Sequence, residues 1–178
     1  MPAYHSAFNE TDLRSIGNMA LLPIKTKIRG PAPTSLDPAV DDIIDEAIGL
    51  FRANSFFRNF EIKGNADRVL IYLILFIQEC LAKLQKNPSL IEGQRTLATH
   101  AVQNFAIPGD SNFPLNALYE KPASRQDADN LKQYLSQIRQ ELAARLPAKV
   151  YEGDRPSKWW MSFSKRKFMG LPNVGTQI

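Results

Sequence analysis

Nine consecutive apolar side chains, at residues 69–77, constrain this chain more than any other feature of its sequence. A helix that is apolar on every side has no face to present to water, so other parts of the protein must surround it. The run is much shorter than the ~20 residues that a membrane span needs, and Gln78, Glu79 and Lys83 follow it closely. We therefore predict an all-α fold: a single domain with one apolar central helix surrounded by other helices.

The size and the cysteine usage of the chain fit a cytosolic protein of one domain. A chain of 178 residues can bury a core without disulfides. Cys80 is the single cysteine and cannot form an internal disulfide, which fits a reducing compartment. The N-terminal residues lack the basic and apolar regions of a secretory signal. We expect neither secretion nor a membrane location.

The first half of the chain carries clear helix signals. Asp37 followed by Pro38 is typical of an N-cap and a first helical position, and predicts a helix from there. Phe56 and Phe60 are four residues apart, which would place both rings on one face, and aromatic pairs of this kind usually lie in the core. The central helix is predicted at about 66–86.

A last long helix is predicted after Ser124. Ser124 and Asp127 resemble a capping box, and apolar residues follow at spacings of three and four. Pro147 is predicted to end this helix.

Three segments follow from these signals. Residues 1–36, interrupted by prolines, form an extended N-terminal arm that lies on the protein's own body or on a partner. Residues 37–168 form the helical domain, and residues 169–178 form a C-terminal tail. An arm of this kind can dock on a partner by strand addition.

The long connection at 106–123 is too apolar for a free linker. Long loops inside compact domains are often functional, so Phe113 and Tyr119 are candidate partner-binding residues. The alternative is a loop that packs these apolar side chains on its own body.

The C-terminal segment combines tryptophans with cations. The net charge of the chain is +4, yet five basic residues and no acid lie from residue 155 onward. Trp and Arg are enriched among the residues that dominate binding energy in interfaces. The candidate partner-binding residues here are Lys158, Trp159, Trp160, Lys165, Arg166 and Lys167. Burial of one or both tryptophans in the core, and binding of nucleic acid by a basic helical module or of an anionic membrane surface, are the alternatives.

No catalytic or cofactor-binding constellation is visible. The sequence lacks a glycine-rich phosphate loop, a G-x-S-x-G elbow, an H-E-x-x-H motif and paired-cysteine metal spacing. Its two histidines supply almost no material for a metal site. We predict no enzyme activity, no cofactor and no metal.

Several segments together resemble subunit 3, the 21-kDa subunit, of the actin-related protein 2/3 complex. The matching stretches occur in family order over nearly the whole chain, and their combination is specific although no single one is. They are MPAYHS at 1–6, IGNMALLPI at 16–24, GPAP at 30–33, DEAI at 45–48, FFRNFEIKGNADRVLIY at 56–72, FPLNALYEKPA at 113–123 and PSKWW at 156–160.

The resemblance implies a non-catalytic subunit that packs against the larger actin-related protein and supports nucleation of branched actin filaments. Its implied partners are actin-related proteins, other subunits of the same complex and the actin filament, with no nucleic acid and no membrane. The implied location is the cytoplasmic actin cytoskeleton. Nucleotide would be bound by the actin-related subunits and not by this chain.

Overall fold

A computed structural model describes residues 3–10, 13–35 and 37–176 of the chain. The outer ends of the predicted arm (1–2 and 36) and of the predicted tail (177–178), together with residues 11–12, lie outside the described residues. The helices are α1 (Ile43–Asn54), α2 (Asn65–Lys83), α3 (Leu90–Val102), α4 (Arg125–Val150) and α5 (Lys158–Met161). The strands are β1 (Ser15–Ile16), β2 (Met19–Ala20), β3 (Tyr151–Glu152) and β4 (Arg155–Pro156), and 3-10 turns lie at Ala7–Glu10 and Phe168–Gly170.

Helix α2 lies at the centre of the core. Every residue of α2 from 69 to 81 is buried, so this stretch of the helix has no solvent-facing side. Helices α1, α3 and α4 contact it, and strand β2 and both 3-10 turns also pack against it. The sheath around the central helix is therefore only partly helical. Extended segments complete it, because Leu21, Leu22 and Ile24 are also buried.

The all-α prediction is wrong, because the fold also contains two small antiparallel sheets of two strands each. In β1–β2 Ile16 pairs with Met19, and in β3–β4 Glu152 pairs with Arg155. A two-residue turn of glycine and a polar residue joins each pair, with Gly17 at φ 57° and Gly153 at φ 62°. Glycine followed by Asn or Asp is a hairpin signal, but strands of two residues are too short to show alternation. The class is mixed, with helices dominant.

Two predicted helix ends also need correction. Helix α1 begins at Ile43, with Asp42 as its N-cap, and not near Pro38. Asp37 instead closes a local turn, since its Oδ1 accepts a hydrogen bond from the amide of Ala39. Helix α4 continues through Pro147 to Val150, and Leu146, Pro147 and Val150 hold its end against the core.

The start of α4 was predicted correctly: the Ser124 side chain accepts a hydrogen bond from the amide of Asp127. None of the helices among the described residues combines the length and the apolarity that a membrane crossing needs.

Candidate protein-interaction site

The β3–β4 hairpin places the C-terminal tryptophans. It follows α4 directly, and the amide of Ser157 then donates a hydrogen bond to the Val150 carbonyl over 2.8 Å. Ser157 caps the short helix α5, because its Oγ accepts from the amide of Trp160 over 3.1 Å. The hairpin and the cap together hold α5 against the body of the protein.

The two tryptophans face opposite ways. Trp160 is 7% exposed and stacks on Phe51 of α1, with ring centroids 6.0 Å apart and planes at 5°. Trp159 is 59% exposed. Consecutive residues of a helix lie about 100° apart, so one side chain enters the core and the next faces solvent. Of the two tryptophans, Trp159 is the one that a partner can reach.

Phe113 and Tyr119 lie in the chain's own core. Both rings are buried, and they meet edge to face with centroids 5.4 Å apart. The Tyr119 hydroxyl donates to the carbonyl of Arg68, and burial raises the pKa of that phenol well above its ordinary value of 10.0. These two residues anchor the loop at 106–123 on α2.

The four basic residues predicted to bind a partner all lie on the surface. Lys158, Lys165, Arg166 and Lys167 are exposed. Within residues 3–10, 13–35 and 37–176, none of them has a carboxylate within 4.0 Å. Their charges are free for an acidic partner.

The structure adds three residues that the sequence reasoning did not select, namely Arg52, Phe56 and Phe163. The Phe163 ring lies edge to face with Trp159 at 6.2 Å and with Phe56 at 5.7 Å between centroids. Arg52 Cζ lies 3.3 Å from the Trp159 ring centroid, and Arg166 Cζ lies 4.2 Å from that of Phe56. We call Arg52, Phe56, Trp159, Phe163 and Arg166 the aromatic–arginine surface.

The prediction that Phe56 and Phe60 lie on one face in the core is wrong. Phe56 is 57% exposed, whereas Phe60 is buried. The two rings do not share a face, because α1 ends at Asn54 and the helical spacing rule does not apply beyond it. The charged neighbour Arg58 and the polar Asn59 were the only local signs that this turn lies at the surface.

A pocket of about 410 Å³ lies between α2, α3 and the C-terminal segment. Lys83, Lys165 and Lys167 are among the residues that line it, as are Glu79 and His100. Its volume is within the range of ligand pockets.

The Glu79 carboxylate ties the C-terminal segment to α2. The amide of Val174 donates to Glu79 Oε1 over 3.1 Å, and the Thr176 hydroxyl donates to Oε2 over 2.8 Å. His100 Nε2 lies 3.2 Å from the same Oε2. Burial pushes the pKa of Glu79 up, but these hydrogen bonds outweigh it and hold the pKa below its ordinary value of 4.5. Glu79 is therefore a structural anion.

The described residues offer neither a metal site nor a reactive thiol. Among the described residues no group of three or more His, Cys, Asp or Glu side chains could hold a metal ion. Burial raises the pKa of the Cys80 thiol far above its ordinary value, which keeps it protonated and unreactive. The feature best suited to a function is the exposed surface around Trp159.

Comparison with known proteins gives the family. Residues 1–172 match the family described as P21-Arc, ARP2/3 complex ARPC3 (21 kDa) subunit. Actin-related protein 2/3 complex subunit 3 of Schizosaccharomyces pombe is 58% identical over 172 residues, which cover 95% of this chain and 98% of that protein. The subunit 3 of Saccharomyces cerevisiae is 52% identical over 178 residues (95% and 98%), and that of Dictyostelium discoideum 48% over 170 (93% and 97%). The chain belongs to the P21-Arc family, the 21-kDa ARPC3 subunits of the ARP2/3 complex.

Proposed function

We propose that this chain is a structural, non-catalytic subunit of an actin-related protein 2/3 complex. In that complex it packs against an actin-related subunit and supports nucleation of branched actin filaments. The observation that carries this proposal is a match of 58% identity to a curated subunit 3 along 95% of the chain. Agreement over nearly the full length supports an equivalent role for the whole fold, and not for one shared motif.

The contact with the complex is proposed to use the exposed side chains of the C-terminal segment. Trp159 is exposed, and so are Lys158, Lys165, Arg166 and Lys167 of the same segment, none of which has an acidic partner in the described part of the chain. Trp and Arg are enriched among the residues that dominate binding energy, and cations without an acidic neighbour favour an acidic partner surface. Trp160 supports this surface from within the core through its contact with Phe51.

The proposed partners are the actin-related proteins, the other subunits and, through them, the actin filament, and the proposed location is the cytoplasmic actin cytoskeleton. A nucleic-acid-binding module gains no support from the comparisons, since the curated relatives are named as subunits of this complex.

Size-exclusion chromatography of the natively expressed, lightly tagged chain from cell extract tests the proposal, with mass spectrometry of the co-eluting proteins. We expect elution at several times the chain's own 20.1 kDa, together with two actin-related proteins. The tag expressed alone is the control. Elution of the chain as a free monomer would contradict the proposal.

A further inference from the structure

We propose that the aromatic–arginine surface is a docking site for another subunit of the complex, which presents an apolar side chain flanked by carboxylates. The inference rests on the proposed function and deepens it, because it selects one face of the chain and the chemistry of its partner.

The first argument is the exposed apolar area. Phe56 and Trp159 are two of the few large apolar side chains with more than half of their surface in water. Phe163 joins them into one continuous patch through its contacts with both rings. Contiguous apolar patches on a soluble surface usually mark interaction sites, whereas single exposed side chains need no explanation. An apolar side chain of the partner fits over this patch.

The second argument concerns Arg52. Its Cζ lies 3.3 Å from the centroid of Trp159 and 5.1 Å from that of Trp160. Its Nη1 is buried and has no hydrogen-bond partner. Within the described residues the side chain also lacks a carboxylate within 4.0 Å. A desolvated donor without an acceptor is rare in native proteins and calls for an explanation.

Nη1 itself lies out of a partner's reach, but the Arg52 side chain as a whole is only partly buried, so a partner carboxylate can bind the guanidinium from its solvent-facing side. The tryptophan rings hold the guanidinium plane and have already removed much of its water. A planar guanidinium binds a carboxylate through two parallel hydrogen bonds along its edge. Arg166, over the Phe56 ring, offers a second guanidinium at the other side of the patch. Two arginines with three rings between them therefore fit an apolar side chain with acidic neighbours.

The positive charge of the aromatic–arginine surface also argues against a second copy of this chain as its partner. Self-association through this face would bring Arg52 and Arg166 of one copy against the same cations of the other. Like charges brought together in an interface repel each other, which disfavours the dimer. Lys158 and Lys165 are exposed nearby in the sequence and add to the positive charge of the C-terminal segment. The occupant is therefore an acidic surface of a different protein.

The test measures how tightly tagged variants of the full chain join a complex prepared without its own copy of this subunit. Trp159→Ala, Phe56→Ala and Arg52→Gln are each expected to weaken incorporation at least about tenfold, as residues at the centre of an interface do. Arg52→Lys keeps the charge but loses the planar fork, and is expected to restore only part of the loss. Raising the salt concentration should weaken the wild type more than Arg52→Gln.

Matched controls lie on α3, none of whose residues belongs to the aromatic–arginine surface. Ile91→Ala and Val102→Ala remove apolar side chains that are 63% and 61% exposed, and Arg95→Gln removes an exposed arginine. We expect all three to join the complex like the wild type. Circular dichroism shows whether each variant is folded, and Phe56→Ala is the decisive variant because its ring lies mostly in water.

The outcomes separate the two proposals. Normal incorporation of the folded Phe56 and Trp159 variants, in a preparation where the wild type also incorporates, would overturn the docking site and leave the proposed function intact. Failure of the wild type to incorporate would overturn both. If the same variants lost binding to a single-stranded oligonucleotide but joined the complex normally, the patch would be a nucleic-acid site and the inference would be wrong.

Discussion

Arg139→Met is expected to destabilise the fold severely, although the sequence gives Arg139 no special place. The guanidinium is completely buried in the middle of α4. It donates to the carbonyls of Ala101 and His100, each over 3.1 Å, and to the Thr176 hydroxyl over 3.0 Å and the Tyr72 hydroxyl over 3.3 Å. Arg139 thus donates to two carbonyls in the last turn of α3, of which the His100 carbonyl also accepts from the amide of Gln103.

The magnitude follows from what methionine leaves behind. The buried Ala101 carbonyl and the buried Tyr72 hydroxyl lose the partner that Arg139 supplies, at a cost of about 1–3 kcal/mol each, whereas the His100 carbonyl keeps the amide of Gln103. The guanidinium also lies 4.5 Å from the ring centroids of both Phe76 and Phe105, and losing such contacts costs roughly 0.5–2 kcal/mol more. Methionine refills part of the volume and removes a buried charge, which offsets some of this loss. We expect a net loss of about 3 kcal/mol, a large share of the ~5–15 kcal/mol that stabilises a typical domain.

Urea unfolding followed by circular dichroism checks this value. With a slope of about 2–3 kcal/mol per molar, the midpoint should fall by roughly 1–1.5 M. Arg139→Lys keeps a charge with fewer directed donors and should lie between the wild type and Arg139→Met. Arg125→Met, an exposed position on the same helix, is the control and should change stability by less than ~0.5 kcal/mol. Equal midpoints for the variants at positions 139 and 125 would refute the argument.

Three further predictions concern the core, the C-terminal segment and the surface. Leu75→Asp buries an unpaired carboxylate at a position that is 0% exposed, and should abolish folding; a soluble variant with a helical spectrum would contradict the buried-helix interpretation. Because the pKa of Glu79 is lowered in the folded state, its stabilisation is present above its ordinary pKa of 4.5 and is lost as the pH falls through the lowered value. Glu79→Gln should therefore be less stable than the wild type at pH 7, and the difference in unfolding free energy should shrink below pH 4.5; a constant difference at all pH values would argue against it. Reversal of the charges at 165–167 to Glu should weaken complex assembly or branch formation without unfolding the chain, and normal branch nucleation would mean that these cations are only solvated surface.

Local sequence signals were sufficient to predict the central helix and the start of α4. The apolar run at 69–77 predicted a surrounded helix, and this stretch of α2 is buried on every side. The cap at Ser124 placed the start of α4 correctly. Such features depend on backbone hydrogen bonding and on apolar periodicity over one or two turns, which are properties of the local sequence. The same reasoning missed both hairpins, because two-residue strands carry no period.

Other features were decided by contacts between residues far apart in the chain. Asp42, and not Asp37, begins α1, since Arg145 of α4 binds its carboxylate over 2.8 Å. Arg139 joins α4 to α3 and to the C-terminal segment, and nothing in its own neighbourhood in the sequence distinguishes it from an exposed helix arginine.

The surface around Trp159 shows most clearly what the sequence determined and what only the tertiary structure decided. The sequence by itself determined that the C-terminal segment is aromatic and basic, because composition and charge are read directly from it. Only the tertiary structure decided that Trp160 is inside, that Trp159 is outside and that Arg52 lies against its ring. The physical reason is that exposure and ring contacts depend on how α1 packs against α5, and these elements lie about 100 residues apart in the chain.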